Sequence, residues 1–480
     1  MNPITTFFCD DNTKLFGSSA SAEKTLAYYK DQIRGQGCAD HIELKYLGEP
    51  RGKALFATKD FEKGQRIFTE LAAFAFQSTE NTHIARVCSR CLHFVGSPQD
   101  QIELLMQRKL TAKEALDVTA AINQLPSDWK NGFSGDATVT CGCGEVYCGL
   151  GCKEKDIAFG HLQVCTAANP AAAHAINEFK DHAKGTNETF LLALKVFAFI
   201  ADKVKSHKTP SSREALEEAV WPIRVFAKDF WWNVCMPDEA EEEDPEELKR
   251  ALKGLLKDSV ELLKDVFKHV PELNPVMNVD FYGLLMGIFE RNNVAIVTPS
   301  PMLALLEHLP SPITESVLER VSQFISSSSN SHSHDHGHEG GSHDHSHGGN
   351  NSATADPFEA LDALVAEGSG LHTIHATINH SCTPNAMVFK DAAGLDVSAS
   401  SSSLGSISGN VIRDGRTVIR AIKNIKKGEE ITISYLDEGS DEMDADFEVA
   451  DEDGEDEREW RAMSLREYGI DKCECAKCKK

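Results

Sequence analysis

The chain has 480 residues, 41% of them apolar, which is enough for a substantial core spread over about two to four domains. Its 49 basic against 74 acidic side chains leave a net charge of −25, a field that repels phosphate backbones, so direct nucleic-acid binding is not expected and a basic protein or peptide is the better-matched partner. The opening run MNPITTFFCDDNTKLF has no basic segment ahead of an apolar one, and the longest greasy stretch, Phe190 to Ala201, is broken by Lys195 and too short for a bilayer; no membrane anchor is expected, and the location is expected to be cytoplasm or nucleus.

After an N-terminal extension (1–38), period-two alternation begins at His41 (HIELKYL), turns over Gly48 to Gly52 and resumes as KALFAT and QRIFTE, which predicts short antiparallel strands. The stretch ATKDFEKGQRI (Ala57 to Ile67) has a spacing twin near the C-terminal end, AIKNIKKGEEI (Ala421 to Ile431); each places Lys-Gly before a fresh strand. What lies between reads as mostly helical. Asp244 as N-cap, Pro245 at the first helical position and acids in the first turn predict a helix to Val270, ended by Pro271. Its Leu248, Leu252, Leu255, Leu262 and Val266 fall on one stripe, and a second apolar helix passes through Phe190, Leu194 and Phe197; both are read as packing surfaces. Ser326 to Asn351 is almost devoid of apolar side chains and is expected to be a disordered loop. Its seven histidines between His332 and His347 either bind Zn²⁺ or Ni²⁺ weakly or reflect low-complexity drift, and Ser398 to Gly409 reads as a second insertion of that kind. The acidic runs Asp238 to Glu247 and Asp437 to Glu459 read as solvated loop with some attraction for Lys-rich targets.

Fourteen cysteines in a chain without secretion signals argue for metal binding over disulfides, because the cytosol and nucleus keep thiols reduced. Cys88 and Cys91 form a Cys-x2-Cys pair, and some fifty residues later Cys141, Cys143, Cys148, Cys152, His161 and Cys165 crowd into one stretch. Eight soft ligands suffice for two tetrahedral zinc sites. A third cluster, Cys473, Cys475 and Cys478, is one ligand short; Cys382 is the best fourth, since Cys9, Cys38 and Cys235 sit in no recognisable ligand context. About three zinc ions are therefore expected.

Cys143, Cys148, Cys152, His161 and Cys165 follow the order of a MYND zinc finger. By that resemblance Cys88, Cys91, Cys148 and Cys152 hold one zinc and Cys141, Cys143, His161 and Cys165 the other, with Cys141-Gly-Cys143 tighter than the usual Cys-x2-Cys and the gap between Cys91 and Cys141 unusually long. The segments INHSCTPNA (Ile378 to Ala386) and GEEITISYLD (Gly428 to Asp437) together resemble the two core motifs of SET methyltransferases. With the N-terminal strand pair, the finger as an insertion, helices, the two motifs and a CxCxxC tail, the layout over roughly residues 40 to 480 is similar to the SET and MYND family. The surroundings EGSGLHTIHATINHSCTPNA match the branch in which no helical-repeat domain follows the zinc tail.

The resemblance implies an α+β fold: a β-rich, pseudoknotted SET core with an inserted MYND finger, a helical insertion and a post-SET zinc tail. In these terms the chain divides into the extension, a first SET core segment (39–85), the finger (86–165), the helical insertion (166–275), a second SET core segment (276–325), the His-rich loop (326–356), a third SET core segment bearing both motifs (357–437), an acidic linker (438–458) and the tail (459–480). It further implies an S-adenosylmethionine-dependent protein-lysine N-methyltransferase, acting as a monomer on histone or other basic, for example ribosomal, proteins. Tyr435 is then the catalytic phenol at the methyl-transfer channel, Asn379 and His380 hold the methionine and adenine portions of the cofactor, Arg51 and the main chain at Gly52 and Lys53 its amino-acid end, and Asn292 the carboxylate or ribose side. Tyr468 lines the channel where the family commonly stacks an aromatic nearer Asp471. Two competing readings remain: an adaptor whose finger docks peptides on an inactive SET scaffold, and a zinc-buffering protein motivated by the His-rich loop.

Overall fold

The computed structural model describes residues 3–9, 18–127, 129–235, 245–331, 364–389, 414–436, 455–470, 472, 473, 475, 477 and 478. The alternating N-terminal stretch forms β1 (Ile42–Tyr46), β2 (Lys53–Ala57) and β3 (Arg66–Glu70), followed by β4 (Phe74–Gln77). The cysteine-rich stretch contributes β5 (Val139–Thr140) and β6 (Val146–Tyr147), and the later stretches of the chain β7 (Asn293–Pro299), β8 (Val365–Leu371), β9 (Asn379–His380), β10 (Ala386–Phe389), β11 (Thr417–Ala421) and β12 (Glu430–Ile433). They assemble as β1-β2-β12-β9, β10-β11-β3, β4-β8-β7 and the β5-β6 ladder.

The two spacing twins meet each other. Strand β2 pairs with β12, and β11 with β3, so each N-terminal strand is completed by a strand from the far end of the chain. The bonds between the twins come in reciprocal pairs. Ala57 N donates to Glu429 O and Ala421 N to Gln65 O (2.9 and 3.0 Å); Phe61 and Ile425 exchange both main-chain bonds; Gly64 N reaches Ala421 O and Gly428 N reaches Ala57 O. Side chains follow suit, with Lys63 N on Asn424 Oδ1 (2.9 Å) and Lys427 N on Asp60 Oδ1 (2.8 Å). Both turns need a left-handed residue, and Gly64 (φ 84°) and Gly428 (φ 86°) supply it without a Cβ penalty. The result is a pseudo-twofold sheet core, with Leu55, Ile67, Phe68, Ile419, Ile425 and Ile431 buried between its halves.

The helical layer forms a larger core of its own. The helix Thr189–Ser206 buries Phe190, Leu194 and Phe197, with Phe190 and Phe197 meeting Tyr282 and Phe197 meeting Phe281 of the helix Val279–Asn292. In the helix Pro245–Val266 the buried positions are Leu256, Val260, Leu263 and Val266, so of the predicted stripe Val266 is buried while Leu252, Leu255 and Leu262 are half-buried at the core's edge. The predicted helix to Val270 is helical from Pro245 to Val266. The N-terminal extension packs on the rest of the fold: the short helix Pro3–Cys9 inserts Ile4 and Phe8 into this core, and the helix Ser19–Gly35 buries Tyr29 and Ile33. The long gap between Cys91 and Cys141 holds two helices, Pro98–Met106 and Ala112–Ile122, each opened by a capping box (Ser97/Asp100 and Thr111/Glu114). They pack on Met302–Leu306 and Ser311–Ser331 in a separate cluster. The last of these helices buries Ile313, Val317 and Val321 and runs to Ser331, into the segment expected to be loop from Ser326 on. The rest of that loop, the insertion Ser398 to Gly409, Asp471 and most of both acidic runs lie outside the described residues. No helix among the described residues is long and apolar enough to cross a membrane.

Candidate active site and metal centres

The segment carrying Asn379 and His380 runs parallel to β12, pairing Asn379 with Thr432 and His380 with Ile433. Ser381 N continues the run by donating to Ile433 O. The turn before it is pinned by Glu70 at the end of β3, whose carboxylate accepts from Ile374 N and His375 N, both at 2.8 Å. Burial pushes that carboxyl up to about 7 despite those donors. Immediately after β12 the chain bends so that Tyr435 returns over the same segment. Its Oη donates to Ile378 O at 2.6 Å, and its main-chain N donates to His380 Nδ1 at 3.0 Å. The Tyr435 ring lies 5.4 Å from His380 and 5.1 Å from Tyr468, centroid to centroid. Burial holds the phenol well above its ordinary pKa, so the hydroxyl stays protonated.

His380 is pushed down to about 4 by burial and is neutral. With Nδ1 accepting from Tyr435, its proton sits on Nε2, which faces Cys382 Sγ at 3.2 Å. One imidazole thus joins the tyrosine to the tail cluster. Asn379 Nδ2 donates to Glu430 Oε1 (3.0 Å), and Arg51 Nη2 reaches the other oxygen of the same carboxylate. Asn385 ties the strand down: its Nδ2 donates to Glu430 O and its Oδ1 accepts from Thr432 N. Glu430 and Asn385 stand inside the two core motifs, yet sequence reasoning gave them no role, and neither residue type at its position sets itself apart from a solvated one.

The remaining predicted cofactor residues are differently engaged. Gly52 (φ 61°) closes the β1–β2 hairpin with both its groups, N to Gly48 O and O from Leu47 N, each 2.8 Å. The Lys53 ammonium is buried against Val225 O and is pushed down to about 7 by desolvation. Asn292, at the end of the helix Val279–Asn292, donates twice from Nδ2, to Ala227 O (2.8 Å) and Ile288 O (2.7 Å), which leaves its carbonyl to accept. Beside it, Asn293 Oδ1 is buried without a partner among the described residues.

All twelve predicted zinc ligands fall into three groups of four, each with its ligand atoms within 4.8 Å of one another: Cys88, Cys91, Cys148 and Cys152; Cys141, Cys143, His161 and Cys165; Cys382, Cys473, Cys475 and Cys478. A tetrahedron with metal–sulfur bonds of about 2.3 Å has edges of about 3.8 Å. The sulfur separations match it: 3.7 Å for Cys91–Cys148, 3.4 Å for Cys148–Cys152, 3.7 Å for Cys141–Cys165 and 3.5 Å for Cys382–Cys478. His161 presents Nε2 to Cys141 and Cys143 (3.4 and 3.6 Å), while Nδ1 faces Asp156 Oδ2 at 3.4 Å, the carboxylate arrangement that fixes a ligand imidazole. The tight Cys141-Gly-Cys143 spacing works because Gly144 (φ 99°) turns the chain at once, with Gly144 N donating to Cys141 O and Cys141 N to Glu145 O. These donor sets and edges fit zinc.

Residues 52 to 436 match the SET domain family. The chain belongs to the SET-domain family. Within it, the chain is similar to ATXR2 of Arabidopsis thaliana, described as a histone-lysine N-methyltransferase, with 26% identity over 94% of this chain and 92% of the relative. It is similar also to the protein-lysine N-trimethyltransferase SMYD5 of Mus musculus (23% identity; 93% and 88%) and of Homo sapiens (22% identity; 91% and 86%). Both ends of the matched stretch are joined in its sheets, as β2–β12 and β3–β11. SET methyltransferases use S-adenosylmethionine, and the three Cys/His groups suit about three zinc ions.

Proposed function

We propose that this SET protein is an S-adenosylmethionine-dependent protein-lysine N-methyltransferase acting, as a monomer in cytoplasm or nucleus, on basic histone or non-histone proteins such as ribosomal ones. The observation that carries it is the placement of the Tyr435 hydroxyl, held by Ile378 O directly over the Asn379-His380 segment and walled by Tyr468. When bound, the cofactor supplies an electrophilic methyl group on sulfur. The chain's task is to present a neutral amine in line with it and to keep water out. The protonated phenol cannot serve as a base; with its hydrogen given to Ile378 O, its lone pairs accept an N–H of the incoming amine and orient the nitrogen. Arg51, the Gly52–Lys53 turn, Asn292 and Asn379 remain the proposed cofactor contacts, with His380 acting through its main chain because its ring is committed to Tyr435 and Cys382. The parallel run of β9 against β12 supports the pseudoknotted path, and eleven cysteines gathered in metal-binding groups suit a reducing compartment.

Incubated with labelled S-adenosylmethionine and purified histones or ribosomal proteins, the protein should transfer methyl groups to lysine, and Tyr435→Phe should lower the rate by about 10²-fold or more. Unchanged turnover in that variant would refute the role of the hydroxyl. A peptide-docking adaptor on an inert scaffold is the second reading, favoured by Leu150 and Leu162 standing 64% and 41% exposed on the finger. Absence of saturable S-adenosylhomocysteine binding in calorimetry would select it.

A further inference from the structure

Glu430 opens β12 with its side chain only 15% exposed. Its carboxylate ties two distant regions to its own strand, which leads into Tyr435: Oε2 takes Arg51 from the β1–β2 turn, and Oε1 takes Asn379 from the core motif at 3.0 Å. The main chain beneath it does not drift, because Asn385 Nδ2 holds Glu430 O at 2.8 Å and the residue pairs in register with Phe56.

An asparagine amide has a donor face and an acceptor face, and half a turn about its last bond exchanges them. A carboxylate can only accept. It therefore selects the orientation in which Nδ2 faces Glu430 and Oδ1 points away. An ammonium group, which can only donate, requires that oxygen; the flipped amide would set N–H against N–H. The geometry points to Glu430 as a positioning residue that fixes the Asn379 amide with Oδ1 turned toward the ammonium of the cofactor's amino-acid end. This rests on the methyltransferase reading above. Arg51 completes the arrangement by occupying the second carboxylate oxygen, so that Glu430 does not compete for the same ammonium.

Calorimetry with S-adenosylhomocysteine on the full zinc-loaded chain, alongside methyl-transfer kinetics, tests the assignment. Glu430→Met keeps the length and removes the acceptor; binding should weaken about tenfold, with KM for S-adenosylmethionine rising in parallel and kcat at saturation within about threefold. Glu430→Gln retains one carbonyl, for which Asn379 Nδ2 and Arg51 compete, and should bind between the parent and the Met variant. Reversing the pair supplies a readout that packing alone would not move and that survives should the Met variant fail to fold. Asn379→Asp sets two carboxylates face to face and should bind poorly, whereas Asn379→Asp combined with Glu430→Gln restores a donor opposite an acceptor and should recover affinity about tenfold over the single variant. Equal affinity of the Met and Gln variants, or no recovery in the double variant, overturns the inference. Failure of the unsubstituted chain to bind S-adenosylhomocysteine at all sinks instead the methyltransferase reading.

Discussion

Lys53 and Tyr435 are both buried polar groups, and burial acts on them with opposite sign. For Tyr435 the neutral form is the useful one, and desolvation preserves it. For Lys53 desolvation works against the charge the side chain would carry in water. Folded, its amine titrates near 7, against an ordinary value of 10.5. Between those values the unfolded chain binds more protons than the folded one, so stability rises with pH across that window and the full penalty stands below it. Lys53→Met removes this titration. The cofactor-free variant should melt several degrees higher than the parent at pH 6 to 7, with the advantage shrinking toward pH 10 (scanning calorimetry). A variant with the same pH slope as the parent would show that Lys53 is not the group responsible.

Among the elements, the reciprocal union of the two Lys-Gly turns is what brings the chain's ends together. Ile425 is fully buried and meets Phe61, itself 2% exposed, where the two twins exchange main-chain bonds. Ile425→Ala should therefore cost about 2–5 kcal/mol in denaturant unfolding, the range for a buried aliphatic truncation. Because Phe61 and Ile425 share one contact, the double variant should lose less than the sum of the singles. Strict additivity would mean that the halves are stabilised independently. The strands β3 and β12 occupy equivalent places in the two units, yet Glu70 is spent on fixing the Ile374–His375 turn and Glu430 on fixing Asn379. The same sheet framework thus orients the core motif from both sides.

Across the entire protein the zinc groups serve different ends. The finger groups lie among helices and the β5-β6 ladder, whereas the tail group includes Cys382, two residues from His380, whose ring faces it at 3.2 Å. Loss of one ligand should therefore have unequal consequences. Cys382→Ser should lower the metal content from about three to about two per chain by mass spectrometry of metals and abolish methyl transfer, while Cys148→Ser should release one ion and leave S-adenosylhomocysteine binding largely intact. Equal loss of cofactor binding in both variants would mean that the finger, too, supports the core. The net charge of −25 acts over the same distances: association with a basic protein substrate should weaken as salt rises past physiological ionic strength.

Local and chemical features could be read directly from the residues: the alternating strands, the capped and striped helices, twelve soft ligands in three groups, and a tyrosine following an Asn-His motif. These are legible because propensity, periodicity and ligand type act over a few residues, and because a thiolate reads the same wherever it falls. The interlocking of the spacing twins was out of reach, since strand partners hundreds of residues apart leave no trace in either strand alone. Long-range packing likewise made Ile4 and Phe8 complete the helical core. Glu430 shows the limit most directly. Nothing in Gly-Glu-Glu-Ile distinguishes an acid on a solvated turn from one that accepts Arg51 and Asn379 at once; that depends on burial and on two partners delivered by other segments, quantities that exist only once the chain has closed on itself.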